Sequence, residues 1–182
     1  MSLGVDEIGA VVLAGGLGTR VQNLLPGIPK PMAPVAGRPF LEWVLRFLAR
    51  QGVRRAVIST GYLAQVIADH CQRHPVKGIT TLCVPEPAPL GPDGQLLRFE
   101  EKQPGAGVVN TGVYLLREEL LASFPRRQPL SFEQDVFPAL TAQGASLRAL
   151  RTGASWLDIG TPESMAQAEA FVQQNMNRFI QD

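Results

Sequence analysis

Three glycines within four positions, Gly15, Gly16 and Gly18, follow an apolar run from Ile8 to Ala14, and Thr19 and Arg20 close the stretch. Without a Cβ, the backbone can approach a ligand closely and turn several N–H groups onto one anion. Arg20 adds a planar fork suited to phosphate. Ten residues further on, Lys30 stands between Pro29 and Pro31 in the run Leu25-Pro26-Gly27-Ile28-Pro29-Lys30-Pro31-Met32. Lysine is scarce in this chain: of 17 basic residues only Lys30, Lys77 and Lys102 are lysines. Where arginine is the default cation, a lysine held in a proline-stiffened loop suits a role that a guanidinium cannot fill. Leu13, Ala14, Gly15, Gly16, Gly18, Thr19, Arg20 and Lys30 therefore read as one phosphate-binding set. A plain structural turn would need one glycine, or two. The spacing is neither GxGxxG nor GxxxxGK[ST], which speaks against a Rossmann dehydrogenase and against a P-loop NTPase.

Two later segments carry similar potential. Phe99-Glu100-Glu101-Lys102 is followed by Val109-Asn110-Thr111-Gly112-Val113-Tyr114. From the residues alone this is either the solvated, charged end of a strand or an anion contact built on another of the rare lysines. In Trp156-Leu157-Asp158-Ile159-Gly160-Thr161-Pro162, an aspartate sits among apolar neighbours just before a helix start. Such a carboxylate is satisfied either by backbone N–H groups of the turn or by a cation such as Mg²⁺. His70 and His74 lie four apart, close enough to share one helix face. No third ligand is in view, so they read as surface residues, and Cys71 reads as core.

The elements that must position these groups follow from periodicity and punctuation. Ile8 to Ala14 predicts a buried parallel strand. Pro39 opens a helix with Phe40, Leu41, Val44, Leu45 and Leu48 on one face, ending at Gly52. Arg55 to Thr60 reads as a strand, Leu63 to about Arg73 as a helix, and Gly78 to Val84 as a third strand. This alternation predicts an α/β fold: a Rossmann-like, predominantly parallel sheet with helices on both faces. Gln95–Phe99, Val108–Leu116 and Leu147–Arg151 read as further strands. A capping box at Ser131–Gln134 predicts a helix ending at Gly144. Thr161 caps a last helix, with Pro162 at its first position, running to about Phe179.

Composition narrows the rest. At roughly 100–200 residues per domain, 182 residues make a single domain spanning 1–182. A hydrophobic share of 45% supports a packed core. Seventeen basic against sixteen acidic residues leave a formal charge of +1, with no basic block, which argues against nucleic acid or an anionic membrane as partner. No apolar run approaches the ~18 residues of a spanning helix, and the N-terminal stretch carries acids where a signal peptide would be basic. Cys71 and Cys83 have no CxxC or zinc spacing, which suits a reduced cytoplasmic compartment.

The combination of G-G-x-G-T-R with P-K-P-M resembles the N-terminal signature of sugar-1-phosphate nucleotidyltransferases. The run Lys30-Pro31-Met32-Ala33-Pro34-Val35-Ala36-Gly37-Arg38-Pro39 is most similar to the heptose- and mannose-1-phosphate guanylyltransferase branch. In the molybdenum-cofactor guanylyltransferases the lysine follows the glycine loop more closely. The resemblance extends to the family's F-x-E-K, N-x-G-x-Y and W-x-D-x-G-T-P elements. It implies a nucleotide-diphospho-sugar transferase fold and transfer of a nucleotide from GTP to a sugar 1-phosphate. By the same resemblance Arg20, Lys30, Lys102 and Asp158 would be catalytic and Glu101 would accept sugar hydroxyls. Lys102 would bind the sugar phosphate, Asn110 and Gly112 would shape the sugar site, and Asp158 would bind Mg²⁺. The base, the sugar and any homo-oligomer are open at this point.

One family feature is missing. The family carries a second metal-binding aspartate in a G-D element, and this chain has no such dipeptide. The run Glu86-Pro87-Ala88-Pro89-Leu90-Gly91 passes at once into Pro92-Asp93-Gly94, as though at least one β-α-β unit, roughly 30 residues or more, were absent near Gly91 and Pro92. A rival expectation is therefore a protein on a shortened version of the fold that binds a nucleotide or sugar nucleotide without turnover.

Overall fold

The structure is a computed structural model, and it describes residues 9–85, 112–121, 123–124, 132–145, 147 and 153–180. The chain divides into two compact units, one of Met1–Pro89 with Leu157–Asp182 and the other of Leu90–Trp156.

The first unit is built on three parallel strands, β1 (Gly9–Ala14), β4 (Arg55–Thr60) and β5 (Thr80–Pro85), in the order β1-β4-β5. Between β1 and β4 the chain forms short 3₁₀ turns at Gln22–Leu24 and Lys30–Met32, then a hairpin of β2 (Pro34–Val35) and β3 (Arg38–Pro39), then helix α1 (Phe40–Arg50). Helix α2 (Ala64–Arg73) joins β4 to β5. The hairpin turns on Ala36 and Gly37, both at positive φ (46° and 76°), the backbone that matches the twist of paired strands in a two-residue loop. β1, β4, β5, α1 and α2 match the reading from sequence to within two residues at each end, and the β2–β3 hairpin stands where no strand was expected.

Register aligns Val12 with Ile58 and Cys83 across the sheet. Because side chains alternate along a strand, Ala10, Val12, Ala14, Ala56, Ile58 and Cys83 face one way. There they pack with Leu41 and Leu45 of α1 and with Ile67 and Cys71 of α2. Cys71 is thus a core residue, as expected. The opposite face carries Val11, Leu13, Leu82 and Val84, with Val11 68% and Leu13 74% exposed. The α/β class and parallel sheet stand as read. The expected burial of β1 on both faces does not hold among the described residues, where α1 and α2 lie on one side.

Helix α5 (Pro162–Gln174) returns to this unit and continues into a 3₁₀ turn at Met176–Arg178. Ile159, Ala168 and Val172 pack with Val35 and Trp43, whose indole Nε1 donates to the Val35 carbonyl at 2.8 Å. Thr161 caps α5 as expected. Reciprocal bonds to Ser164 complete a box: the Ser164 N–H donates to Thr161 Oγ1 at 3.3 Å and the Thr161 N–H donates to Ser164 Oγ at 3.1 Å.

The described part of the second unit contains α3 (Glu118–Leu121), a π turn at Phe132–Val136 and α4 (Phe137–Ala142). Tyr114 stacks on Phe132 at 4.9 Å and meets Phe137 edge-on at 5.1 Å. The expected helix ends near Gly144 (φ 76°) as read. It opens as a π turn, since Pro138 has no N–H with which to continue a regular ladder. The strand expected over Val108–Leu116 is not formed at 113–116, where Val113 and Leu115 are each 82% exposed. An apolar run makes a strand only against a neighbour that completes the ladder. Leu147 is likewise not in a strand. The remainder of those two segments, the strand expected at Gln95–Phe99, the capping residue Ser131 and the junction near Gly91 and Pro92 lie outside the described residues. No helix among the described residues is long and apolar enough to cross a membrane.

Candidate active site

The glycine loop leaves the C-terminal end of β1, the end at which ligands bind in open parallel sheets. Ala14 is buried at the strand tip, and Val21, packed with Leu25 and Ala33, anchors the far side of the loop. Between them the Val21 N–H closes a turn onto the Gly18 carbonyl at 3.0 Å. Gly18 has φ +64°, and a Cβ built there would stand 3.1 Å from Lys30 Cβ. The glycine loop and the lysine loop therefore touch, and the touch requires a glycine.

Lys30 starts its 3₁₀ turn behind Pro29, which is extended (φ −68°, ψ 142°), and ahead of Pro31. Two prolines fix the approach of the chain, and the Ala33 N–H bonds back to the Lys30 carbonyl at 3.0 Å. The result is a half-buried lysine whose backbone is set before any ligand arrives. Among the described residues no ion pair engages Lys30 or Arg20, so both cations are available to an anion.

These groups surround a cavity of about 370 Å³ lined by Val12, Leu13, Ala14, Gly16, Gly18, Thr19, Arg20, Val21, Lys30 and Pro31, with Phe40, Leu41, Val44 and Gly160. All the residues assigned from sequence to nucleotide binding line it except Gly15, which lies behind it. Asp158, exposed and set before the cap of α5, folds its carboxylate over Gly160, with oxygens 2.9 and 3.1 Å from where a Gly160 Cβ would be. The wall formed by Phe40, Leu41 and Val44 was not foreseen from sequence. Its signal is Pro39, which starts α1 after the short hairpin that follows the lysine turn, so that the first turns of α1 reach the cavity. Gly160 was also missed as a lining residue. Its signal is the small residue between Asp158 and the capping Thr161.

Of the remaining sequence-assigned residues, Gly112 has φ +69° and belongs to the second unit. Glu101, Lys102 and Asn110 lie outside the described residues. Among the described residues no group of three or more His, Cys, Asp or Glu side chains gathers as a metal cage.

Glu42, His70 and Cys71, whose acidities are perturbed, gather on another face, where α1 meets α2. Glu42 of α1 is buried, which raises its pKa. Hydrogen bonds from Arg46 (2.8 and 3.0 Å) and Arg38 (2.6 Å) outweigh burial and leave the carboxyl below its ordinary value. His70 is not the surface residue expected: its Nε2 is buried, 3.5 Å from the Glu42 carboxylate, and its ring stacks on His74 at 4.6 Å. Desolvation, then the neighbouring His74, holds its pKa below the ordinary value despite Glu42. The sequence could not reveal this, because the partner is on another helix.

The family described as the MobA-like NTP transferase domain matches residues 10–155. The D-glycero-alpha-D-manno-heptose 1-phosphate guanylyltransferase of Campylobacter jejuni is 25% identical over 213 residues, covering 85% of this chain and 95% of that protein. The protein of the same name from Aneurinibacillus thermoaerophilus is 33% identical over 132 residues, covering 72% of this chain and 56% of its own length. A crystal structure of HddC from Yersinia pseudotuberculosis shares 38% identity over 46% of this chain and 37% of its own, with a TM-score of 0.42. The Campylobacter alignment runs over 213 positions, more than the 182 residues of this whole chain, so that relative has residues without a counterpart here. With the match spanning most of its length, and with the heptose- and mannose-1-phosphate branch agreeing with the motifs read above, the chain belongs to the MobA-like NTP transferase family.

Proposed function

We propose that this chain transfers a nucleotide from GTP to a sugar 1-phosphate of the heptose or mannose type, releasing pyrophosphate. The observation that carries the proposal is the meeting of the glycine loop, Arg20 and Lys30 around one cavity at the C-terminal end of β1. Loop N–H groups and Arg20 hold the triphosphate. Lys30, preset by its prolines, offsets charge that builds on the α-phosphate and the leaving pyrophosphate. The attacking sugar phosphate would be placed by Lys102, with Glu101, Asn110 and Gly112 around the sugar, as the family resemblance implies. The names of the Campylobacter and Aneurinibacillus relatives support guanosine and a heptose 1-phosphate.

Mg²⁺ fits the donors present: it takes one or two carboxylates plus phosphate oxygens and keeps several waters, and Asp158 offers one carboxylate beside Gly160. When bound it would neutralise phosphate charge. The test is pyrophosphate release from GTP with mannose 1-phosphate or D-glycero-D-manno-heptose 1-phosphate. Turnover that falls about 100-fold or more in Lys30→Met supports the proposal, and an unchanged rate in that variant refutes the role of the site.

A second reading, nucleotide binding without turnover, is favoured by the alignment that outruns this chain. It predicts GTP affinity by calorimetry with no pyrophosphate released over hours.

A further inference from the structure

Gly61 follows β4, and its glycine identity is not explained by backbone conformation, since it is absent from the residues at positive φ. Its explanation is proximity. A Cβ at Gly61 would stand 2.6 Å from the Gly15 carbonyl oxygen and 3.0 Å from Gly15 Cα. The next residue, Tyr62, donates its N–H to the same oxygen at 3.3 Å. The β4–α2 turn thus closes directly onto the back of the glycine loop, backbone against backbone.

The Gly15 C=O and the Gly16 N–H belong to one peptide plane, and in a trans peptide they point in opposite directions. With the carbonyl held against Gly61 and Tyr62, the Gly16 N–H points away from that turn. The cavity lining agrees, since it includes Gly16 and not Gly15. We infer that Gly61 and the Tyr62 amide form a positioning clamp that fixes the Gly15–Gly16 peptide and presents the Gly16 N–H to a ligand phosphate. In the flipped orientation the carbonyl dipole would face the same anion and repel it. The inference rests on the nucleotide reading for the identity of the ligand. The clamp itself rests on the contacts alone.

The test uses the whole chain and inorganic tripolyphosphate as the probe. In the unsubstituted protein, the Tyr62 amide should exchange slowly with solvent and the Gly16 amide resonance should shift on titration with tripolyphosphate. Gly61→Ala should lose the Tyr62 protection and weaken tripolyphosphate binding about tenfold or more, the scale of one charge-assisted hydrogen bond. Gly9→Ala, whose new methyl meets nothing within 4 Å, should leave both unchanged. If Gly61→Ala folds and binds tripolyphosphate as tightly as the parent, or if the parent's Tyr62 amide exchanges like an open loop, the clamp is refuted. Should Gly61→Ala not fold, the parent decides the matter: an unprotected Tyr62 amide, or tripolyphosphate binding with no Gly16 shift, refutes the clamp. A protected Tyr62 amide in a parent that binds no tripolyphosphate refutes instead the nucleotide reading, and with it the phosphate role given to Gly16.

Discussion

Gly18 and Gly27 offer a matched pair for asking whether the position of Lys30 matters. Both have positive φ, +64° and +71°. Replacing either by alanine forces an L-residue into the left-handed region, at about 1–2 kcal/mol. Reduced freedom of the unfolded chain returns about 0.4–1 kcal/mol. Each variant should therefore lose about 1 kcal/mol, a fall in Tm of about 2–4 °C for a chain this size. The two differ in what the new methyl meets. At Gly27, the third residue of a Leu25–Ile28 turn closed by a 3.1 Å bond, nothing lies within 4 Å. At Gly18 the methyl stands 3.1 Å from Lys30 Cβ, so the lysine turn must give by a few tenths of an ångström. A misplacement of 1 Å near reacting groups costs up to about 100-fold in rate, so a shift of this smaller size should cost about tenfold. The assay pairs thermal unfolding with pyrophosphate release. Similar Tm losses with a rate defect confined to Gly18→Ala support the reasoning. Equal rates in the two variants would show that the Gly18–Lys30 contact has no part in the chemistry.

Further expectations concern the α1–α2 face. Glu42→Gln leaves Arg38 and Arg46 without their shared anion at a buried position and should destabilise the fold by about 1–3 kcal/mol; an unchanged urea midpoint would contradict this. His70, with its pKa held below the ordinary 6.5, favours folding while neutral, so that contribution is present above pH 6.5 and lost as pH falls from there through the folded value. The groups facing it are Glu42 on α1, with its partners Arg46 on α1 and Arg38 on β3, Cys71 and Arg73 on α2, and His74 at the end of α2. His70→Gln should flatten the stability profile just below pH 6.5. It should spare the later loss from Glu42, whose lowered pKa makes its contribution complete above about 4.5 and lost as pH falls through the folded value. The Cys71 thiol is pushed up to about 12 by burial and by Cys83 beside it, so native protein at pH 8 should leave Cys71 unalkylated under conditions that label it fully in urea.

How much of this was legible depended on whether the cause was local. The glycine loop, the proline-bracketed lysine, the Thr161 cap and the strands β1, β4 and β5 are set by residues adjacent in sequence, and they stand where the residues placed them. His70 was misread because its environment comes from Glu42, twenty-eight positions earlier and on another helix. The π turn before α4 was missed because a capping pattern at Ser131 says nothing of Pro138 seven residues on. Val113 to Leu116 are apolar as a strand's residues would be, but a strand is defined by its neighbour, and an apolar run alone does not provide one.

The face of the sheet opposite α1 and α2 follows from topology rather than from any single residue. Crossovers of one hand that step along a sheet in one direction, β1 to β4 to β5, place their helices on the same side. A helix on the other side requires the chain to reverse its direction of travel and add a strand beyond β1. Three strands and two helices cannot supply that reversal, however clearly each is written in the sequence. Val11, Leu13, Leu82 and Val84 are apolar because they belong to a parallel strand pattern in which both faces are covered. Their exposure among the described residues is what that pattern gives where helices cover one face alone. The cavity at the C-terminal end of β1 does not depend on that second face, because the groups that line it lie on β1, on the loops that follow it, on α1 and at Gly160.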